Sequence, residues 1–160
     1  MKSGTFNLGI VGCGAVAKLH AVALAAMPGV KLALVHDVRS EAAEKFAAAH
    51  NSRAAQSTAQ MIEAGLDAVI VCTPPAYHEA SSLPFLDAGI AVLCEKPLAQ
   101  SYTAAQRFAE QVRARKTPLL IAFTLRFHPS LVKLRQLVDE GVLGPLHFSI
   151  VSSEIGRAHV

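Results

Sequence analysis

Apolar and polar positions alternate in blocks along the chain, and the blocks have two periods. Residues 6–11, 32–36, 68–72, 91–94 and 119–123 are short runs rich in Val, Ile and Leu. Several are apolar throughout, the pattern of strands covered on both faces. Longer segments with helical spacing lie between them. A helix is expected over 15–27, stopped by Pro28-Gly29. Ser40 is placed to cap a second helix that runs to residue 50, with Glu44 in its first turns. Residues 51–56 are ambiguous between a loop and a short edge strand. Ser57 is a cap candidate for a brief helix ending at Gly65. A helix over 77–88 ends at Gly89, a C-cap signal. Ser101 or Thr103 opens a helix in which Ala105, Phe108, Ala109 and Val112 form one stripe. Leu131, Leu134 and Val138 line one face of a last helix that stops at Gly141.

Repeated strand–helix units with apolar strands imply an α/β fold: a doubly wound parallel sheet with helices on both faces. Six strands fit the order 3-2-1-4-5-6. After Gly144-Pro145 the pattern changes, and residues 146–152 alternate apolar with polar. That segment is expected to be the first strand of a different sheet, belonging to a truncated second α/β domain. The expected division is 1–125 for the first domain and 126–153 for the start of the second. Residues 154–160 match the in-frame translation of a sequencing-library adapter. They are read as an adapter-derived tail and carry no functional argument.

Composition narrows the function classes. The 160 residues are 52% hydrophobic and 17% charged, which excludes a disordered chain. The 28 alanines suit helices packed closely on a sheet. A net charge of +3 is too small and too scattered for a nucleic-acid surface. No apolar run reaches the roughly 18–20 residues of a spanning helix. The apolar stretch before Cys13 is also too short for a secretory signal. Cys13, Cys72 and Cys94 are odd in number and lack C-x-x-C spacing. They read as buried thiols of a cytoplasmic protein, without a disulfide framework or a metal site.

The chemistry-bearing residues follow strand ends. Gly12-Cys13-Gly14-Ala15-Val16-Ala17 is a G-x-G-x-x-A fingerprint placed between a strand and a helix. Gly12 permits a tight turn, Gly14 lets a pyrophosphate approach the backbone, and Ala17 keeps helix and strand close. The helix start at Ala15 and Val16 offers N–H donors to phosphate. Asp37 ends the second strand, placed for the adenosine ribose hydroxyls, and its charge favours NAD over NADP. Arg39 partly offsets that charge, so NADP stays possible. Thr73-Pro74-Pro75 follows the fourth strand at the topological switch, beside the expected nicotinamide half of the cofactor. His78, at a helix entry, is either a structural group or a site residue. Glu95-Lys96-Pro97 follows the fifth strand, where two charges at a buried sheet edge need partners. Lys96 could donate to a substrate hydroxyl or take part in its deprotonation; a plain surface pair with Glu95 is the other reading.

These residues together resemble the glucose–fructose oxidoreductase, inositol dehydrogenase and MocA (Gfo/Idh/MocA) family. The resemblance rests on the glycine fingerprint, Asp37, Thr73-Pro74-Pro75-Ala76-Tyr77-His78, Glu95-Lys96-Pro97-Leu98-Ala99, Arg126-Phe127-His128-Pro129 and the 141–146 stretch. It covers residues 6–152. It implies a Rossmann domain that binds NAD, or NADP, followed by a substrate domain with an open sheet. It implies that Lys96 is catalytic and contacts the reacting hydroxyl, that a cis peptide often precedes Pro97, and that Arg126 lies near the cofactor and substrate cleft. His128 is a weak candidate. Family members are about twice as long, and their second catalytic group lies in the part not represented here. The chain is therefore expected to be an N-terminal fragment that binds cofactor with little turnover and exposes apolar surface. The full-length protein is expected to act on a sugar or polyol and to form a homo-oligomer. A non-catalytic dinucleotide sensor or scaffold is the alternative, and the retained Lys96 argues against it.

Overall fold

The computed structural model describes residues 4–150. The described residues divide into two compact units between Ala122 and Phe123.

The first unit holds a six-stranded sheet in the order β3-β2-β1-β4-β5-β6, as the periodicity predicts. Its strands are β1 (Phe6–Val11), β2 (Val30–His36), β3 (Arg53–Ala54), β4 (Ala68–Val71), β5 (Ala91–Cys94) and β6 (Leu119–Ile121). All neighbouring pairs are parallel. The helices between them are α1 (Ala15–Ala25), α2 (Ser40–Ala49), α3 (Thr58–Glu63), α4 (His78–Asp87) and α5 (Tyr102–Arg113).

Two apolar layers explain why the strands read as nearly continuous hydrophobic runs. Ile10, Leu32, Val35 and Ile70 pack with Ala17, Ala21 and Leu24 of α1 and Ala43, Phe46 and Ala47 of α2. The alternate strand residues Val11, Leu34, Val69, Val71, Val92 and Cys94 pack with Met61 of α3 and Phe85 and Leu86 of α4. Side chains on a strand point to opposite faces in turn, so both faces must be apolar when both carry helices. Small residues on α1 let that helix lie close to the sheet, chiefly over β2.

Several expected boundaries shift. Ser40 is not a cap. It is the first helical residue, Arg39 is the flanking residue in extended conformation, and no side-chain cap bond forms. The Arg39 carbonyl instead accepts from the N–H groups of Ala42 and Ala43. Ser57 does cap α3, accepting from the Gln60 N–H. Ser101, not Thr103, caps α5, accepting from the Ala104 N–H at 3.2 Å. An N-cap hydroxyl satisfies a helix donor that has no partner within the helix. Ser101→Ala is therefore expected to cost about 1 kcal/mol and lower the melting midpoint by about 2–4 °C, read by thermal denaturation. The expected 77–88 helix is split: a 3-10 turn, Pro75–Tyr77, precedes α4. β6 ends at Ile121, because Phe123 already flanks the next turn.

The second unit contains a 3-10 turn, Thr124–Phe127, and α6 (Pro129–Asp139). No residue of α6 is buried. Leu134 is 44% exposed, so the predicted stripe of Leu131, Leu134 and Val138 exists as spacing without becoming a core. The strand expected over 146–152 is not seen in its described part, since residues 146–150 form no ladder. A lone strand has no partner to satisfy its backbone groups, and none is supplied by the described residues of this unit. Residues 151–152 and the 154–160 tail lie outside the described residues. Among the described residues no helix is long and apolar enough to cross a membrane.

Candidate functional site

Parallel strands place all their carboxyl ends at one edge of the sheet. The loops after β2, β1, β4 and β5 therefore line up there in that order, bringing Asp37, the Gly12–Gly14 turn, Thr73-Pro74 and Glu95-Lys96-Pro97 to one edge. β1 and β4 are adjacent, but the chain runs from β1 to β2 on one side and from β4 to β5 on the other. This is the switch point at which open α/β sheets bind ligands.

The two glycines of the turn do different work. Gly12 has φ +90°, a region that side chains disfavour. A Cβ there would lie 2.8 Å from the Cys72 carbonyl carbon and the Thr73 nitrogen. Gly12 thus lets the β1 turn pass against the β4 turn. Gly14 has ordinary extended geometry and flanks α1 without any side-chain cap. A Cβ at Gly14 would meet nothing within 4 Å. The missing side chain opens space outward, above the exposed helix start at Ala15 and Val16. First-turn N–H groups without a cap, at the positive end of a helix, suit a diphosphate. The residues present fit the dinucleotide that the fingerprint implies. Ala17 is fully buried against the strands, as expected.

Asp37 binds the turn itself. Oδ2 accepts from the Cys13 N–H at 2.9 Å and Oδ1 from the Arg39 N–H at 3.0 Å. The Arg39 Nε lies 3.6 Å from Oδ1. Burial pushes the carboxyl's pKa up, but the two N–H donors and the guanidinium outweigh it and hold the group below its ordinary value. A carboxylate has about four acceptor sites. With two taken, Asp37 keeps free acceptor capacity while steadying the glycine turn, a bracing role the sequence did not suggest.

Cys13 is buried in this turn, where burial and the Asp37 charge push its thiol up to about 12. Burial likewise raises Cys72 to about 12 and Cys94 to about 11. Such thiols stay protonated and are poor nucleophiles.

The Thr73 hydroxyl donates to Ser81 on α4 at 3.4 Å. His78 is 1% exposed. Its Nε2 lies 2.8 Å from the Thr73 carbonyl oxygen and its Nδ1 2.9 Å from that of Pro97. The ring thereby ties the β4 turn to the Glu95–Pro97 segment. Both ring nitrogens face internal carbonyls, which places His78 inside the edge, between the two loops. Glu95 is also inward, 9% exposed, with Oε1 2.8 Å from His20 Nε2 and Oε2 accepting from the Lys96 N–H at 3.1 Å. It does not form the surface pair with the Lys96 side chain that spacing allowed. Lys96 is exposed, so this unit alone does not supply a buried setting for its amine. The Lys96–Pro97 peptide is cis, as the resemblance implies.

Arg126 lies on the exposed 3-10 turn of the second unit, and His128 flanks α6. His20 was missed by sequence reasoning. Its signal was present, because positions 17, 20, 21 and 24 share one face of α1, and the other three are buried apolar residues. A histidine on that stripe needs a partner inside.

A doubly wound sheet with a glycine turn at its switch point and a lysine at a neighbouring strand end is the arrangement of a nucleotide-binding Rossmann domain. The comparisons with known proteins agree. Residues 6–123 match the family described as "Oxidoreductase family, NAD-binding Rossmann fold", and the chain belongs to this Gfo/Idh/MocA family. It is 30% identical over 149 residues to inositol 2-dehydrogenase of Rhizobium meliloti, covering 93% of this chain and 45% of the relative. Among solved structures it is similar to the WlbA dehydrogenase of Bordetella pertussis in complex with NADH and UDP-GlcNAcA. The TM-score is 0.82 and the identity 25%, over 90% of this chain and 42% of that one. It is also similar to KijD10, a 3-ketoreductase of Actinomadura kijaniata in complex with NADP and TDP-benzene. There the TM-score is 0.76 and the identity 28%, over 87% and 43% of the two chains. The chain spans about 45% of the length of that inositol dehydrogenase.

Proposed function

We propose that this chain is the cofactor-binding part of an NAD(P)-dependent oxidoreductase whose substrate is a cyclitol, sugar or related polyol. The observation that carries the reading is the shared edge. The uncapped α1 N-terminus with open space above Gly14 and the exposed Lys96 stand on strand ends separated only by β4. A bound dinucleotide supplies a hydride acceptor or donor, which no side chain can provide. The chain's own residues supply position and charge. Asp37 accepts from ribose hydroxyls and repels a 2′-phosphate, with Arg39 as a partial counterweight. The α1 N–H groups hold the diphosphate. Lys96 either donates a hydrogen bond to the substrate hydroxyl oxygen or, as a free amine, accepts the hydroxyl proton as the carbon is oxidised. The family resemblance alone gives Arg126 a role in cofactor binding.

The proposed domain division remains 1–125 and 126–153, with a cytoplasmic site of action and a homo-oligomeric parent protein. The relatives' inositol activity supports the polyol class. With about 45% of such a relative's length, the 160-residue chain is expected to bind cofactor and turn over little or nothing.

Calorimetric titration tests this. NADH is expected to bind with measurable heat and more tightly than NADPH. A well-folded chain that gives no heat with either coenzyme would overturn the reading, and tighter NADPH binding would overturn the role of Asp37. Robust NAD reduction with myo-inositol by this chain alone would overturn the expected lack of turnover.

A further inference from the structure

We infer that His20 is a positioning residue for Lys96, acting through Glu95, and that it ties the phosphate-binding helix to the loop that carries the lysine. The inference rests on the proposed role of Lys96. It goes beyond that role by naming what holds the lysine in place.

Lys96 has an exposed side chain, so the fold positions it through its backbone. The residue before it is anchored three ways. The Glu95 N–H donates to the Val71 carbonyl at 3.0 Å, extending the β4–β5 ladder by one residue. Glu95 Oε2 accepts the N–H of Lys96 itself. Glu95 Oε1 faces His20 Nε2 at 2.8 Å. The residue after Lys96 is anchored by His78, which faces the Pro97 carbonyl. Lys96 therefore sits between two residues that histidines from two different helices hold.

Glu95 is the vulnerable member. A buried carboxylate is costly unless its oxygens are satisfied. Oε2 is satisfied by its own neighbour's N–H, and His20 satisfies Oε1. His20 stands six residues beyond Gly14 on α1, about 9 Å along the axis at the usual helical rise. Among the described residues, His20 supplies the side-chain bond that links α1 to the Glu95–Pro97 segment. Without His20, Oε1 is buried and unpaired. The carboxylate then turns toward water, which releases the Lys96 N–H. A glutamine at position 20 carries an N–H donor at the place of Nε2, whereas leucine fills similar space and donates nothing.

The test uses the 160-residue chain and two variants, His20→Leu and His20→Gln. Amide hydrogen exchange is read by NMR. Acetylation of the Lys96 amine is read by mass spectrometry with and without NADH. In H20L the Lys96 amide is expected to exchange at least about tenfold faster than in the parent, while the Ile10 and Ile70 amides of the central strands keep their rates. In H20Q the Lys96 amide is expected to stay within about twofold of the parent. NADH is expected to slow Lys96 acetylation in the parent and H20Q, and not in H20L. Parent-like Lys96 exchange in H20L overturns the inference, as does a uniform rise at all three amides. Should H20L not fold, H20Q decides: parent-like exchange supports the inference, and a selective tenfold rise at Lys96 overturns it. Absence of NADH binding to the parent would remove the proposed function, and the exchange pattern would still decide the role of His20.

Discussion

Gly12→Ala is expected to cost the protein about 2–6 kcal/mol, while Gly14→Ala costs about 1 kcal/mol or less and instead weakens dinucleotide binding at least about tenfold. The two glycines stand two residues apart in one fingerprint, yet they face different things. At Gly12 an added methyl meets backbone atoms 2.8–2.9 Å away, and backbone cannot rotate aside. The residue would also have to hold φ +90° with a side chain. Such strain costs about 1–3 kcal/mol, and overpacking adds about 1–3 kcal/mol more. That is a large share of the roughly 5–15 kcal/mol by which a domain is stable. At Gly14 the added methyl meets no protein atom, so the fold has no reason to respond beyond a slightly poorer helix start. The methyl stands where a diphosphate would approach, and the loss appears in affinity. Urea denaturation and NADH titration of both variants check the contrast. Equal loss of stability in the two would show that Gly14 is structural.

Asp37→Ala is expected to lower NADH affinity by about 10–100-fold and stability by about 1–3 kcal/mol. The side chain holds the N–H of Cys13, in the middle of the phosphate turn, and that of Arg39. Removing it leaves the turn unsupported and takes away the proposed ribose acceptor at once. The pH dependence follows from the lowered pKa. The carboxylate's stabilisation is complete above its unfolded value of 3.8, and it is lost as pH falls through the lower folded value. The stability gap between parent and Asp37→Ala should therefore be widest near neutrality and close progressively in strong acid. Denaturation midpoints at pH 7 and pH 3 measure it, and a gap that widens in acid would refute the assignment.

Much of the fold was legible because the strands are buried on both faces. Apolar runs such as 68–71 and 91–94 have no polar alternation to confuse them with solvent-facing strands. Glycines and prolines between the blocks marked their ends. The Ser40 cap was misread because a serine near a helix start is a common signal, while Asp37 and Arg39 settle the actual start through a turn that spacing does not show. The strand over 146–152 was inferred from alternation alone. Alternation is a property of one segment, and a ladder needs two.

The site divides in the same way. Local geometry made the Gly12–Gly14 turn, Asp37 and the Glu95–Lys96–Pro97 segment readable, since each follows directly from a strand end. His20 was silent because its partner Glu95 is 75 residues away. His78 was read as either structural or functional, and its contacts with two carbonyls from two different loops were not visible in the spacing.

Periodicity and short motifs by themselves determined the order of elements, the doubly wound sheet and the edge at which its loops meet, because burial imposes a repeat that survives in one dimension. Tertiary structure alone decided which groups inside that edge hold one another: Asp37 on Cys13, His20 on Glu95, His78 between Thr73 and Pro97. Hydrogen bonds between distant segments need three-dimensional proximity and direction, and neither is written in the spacing of residues along the chain.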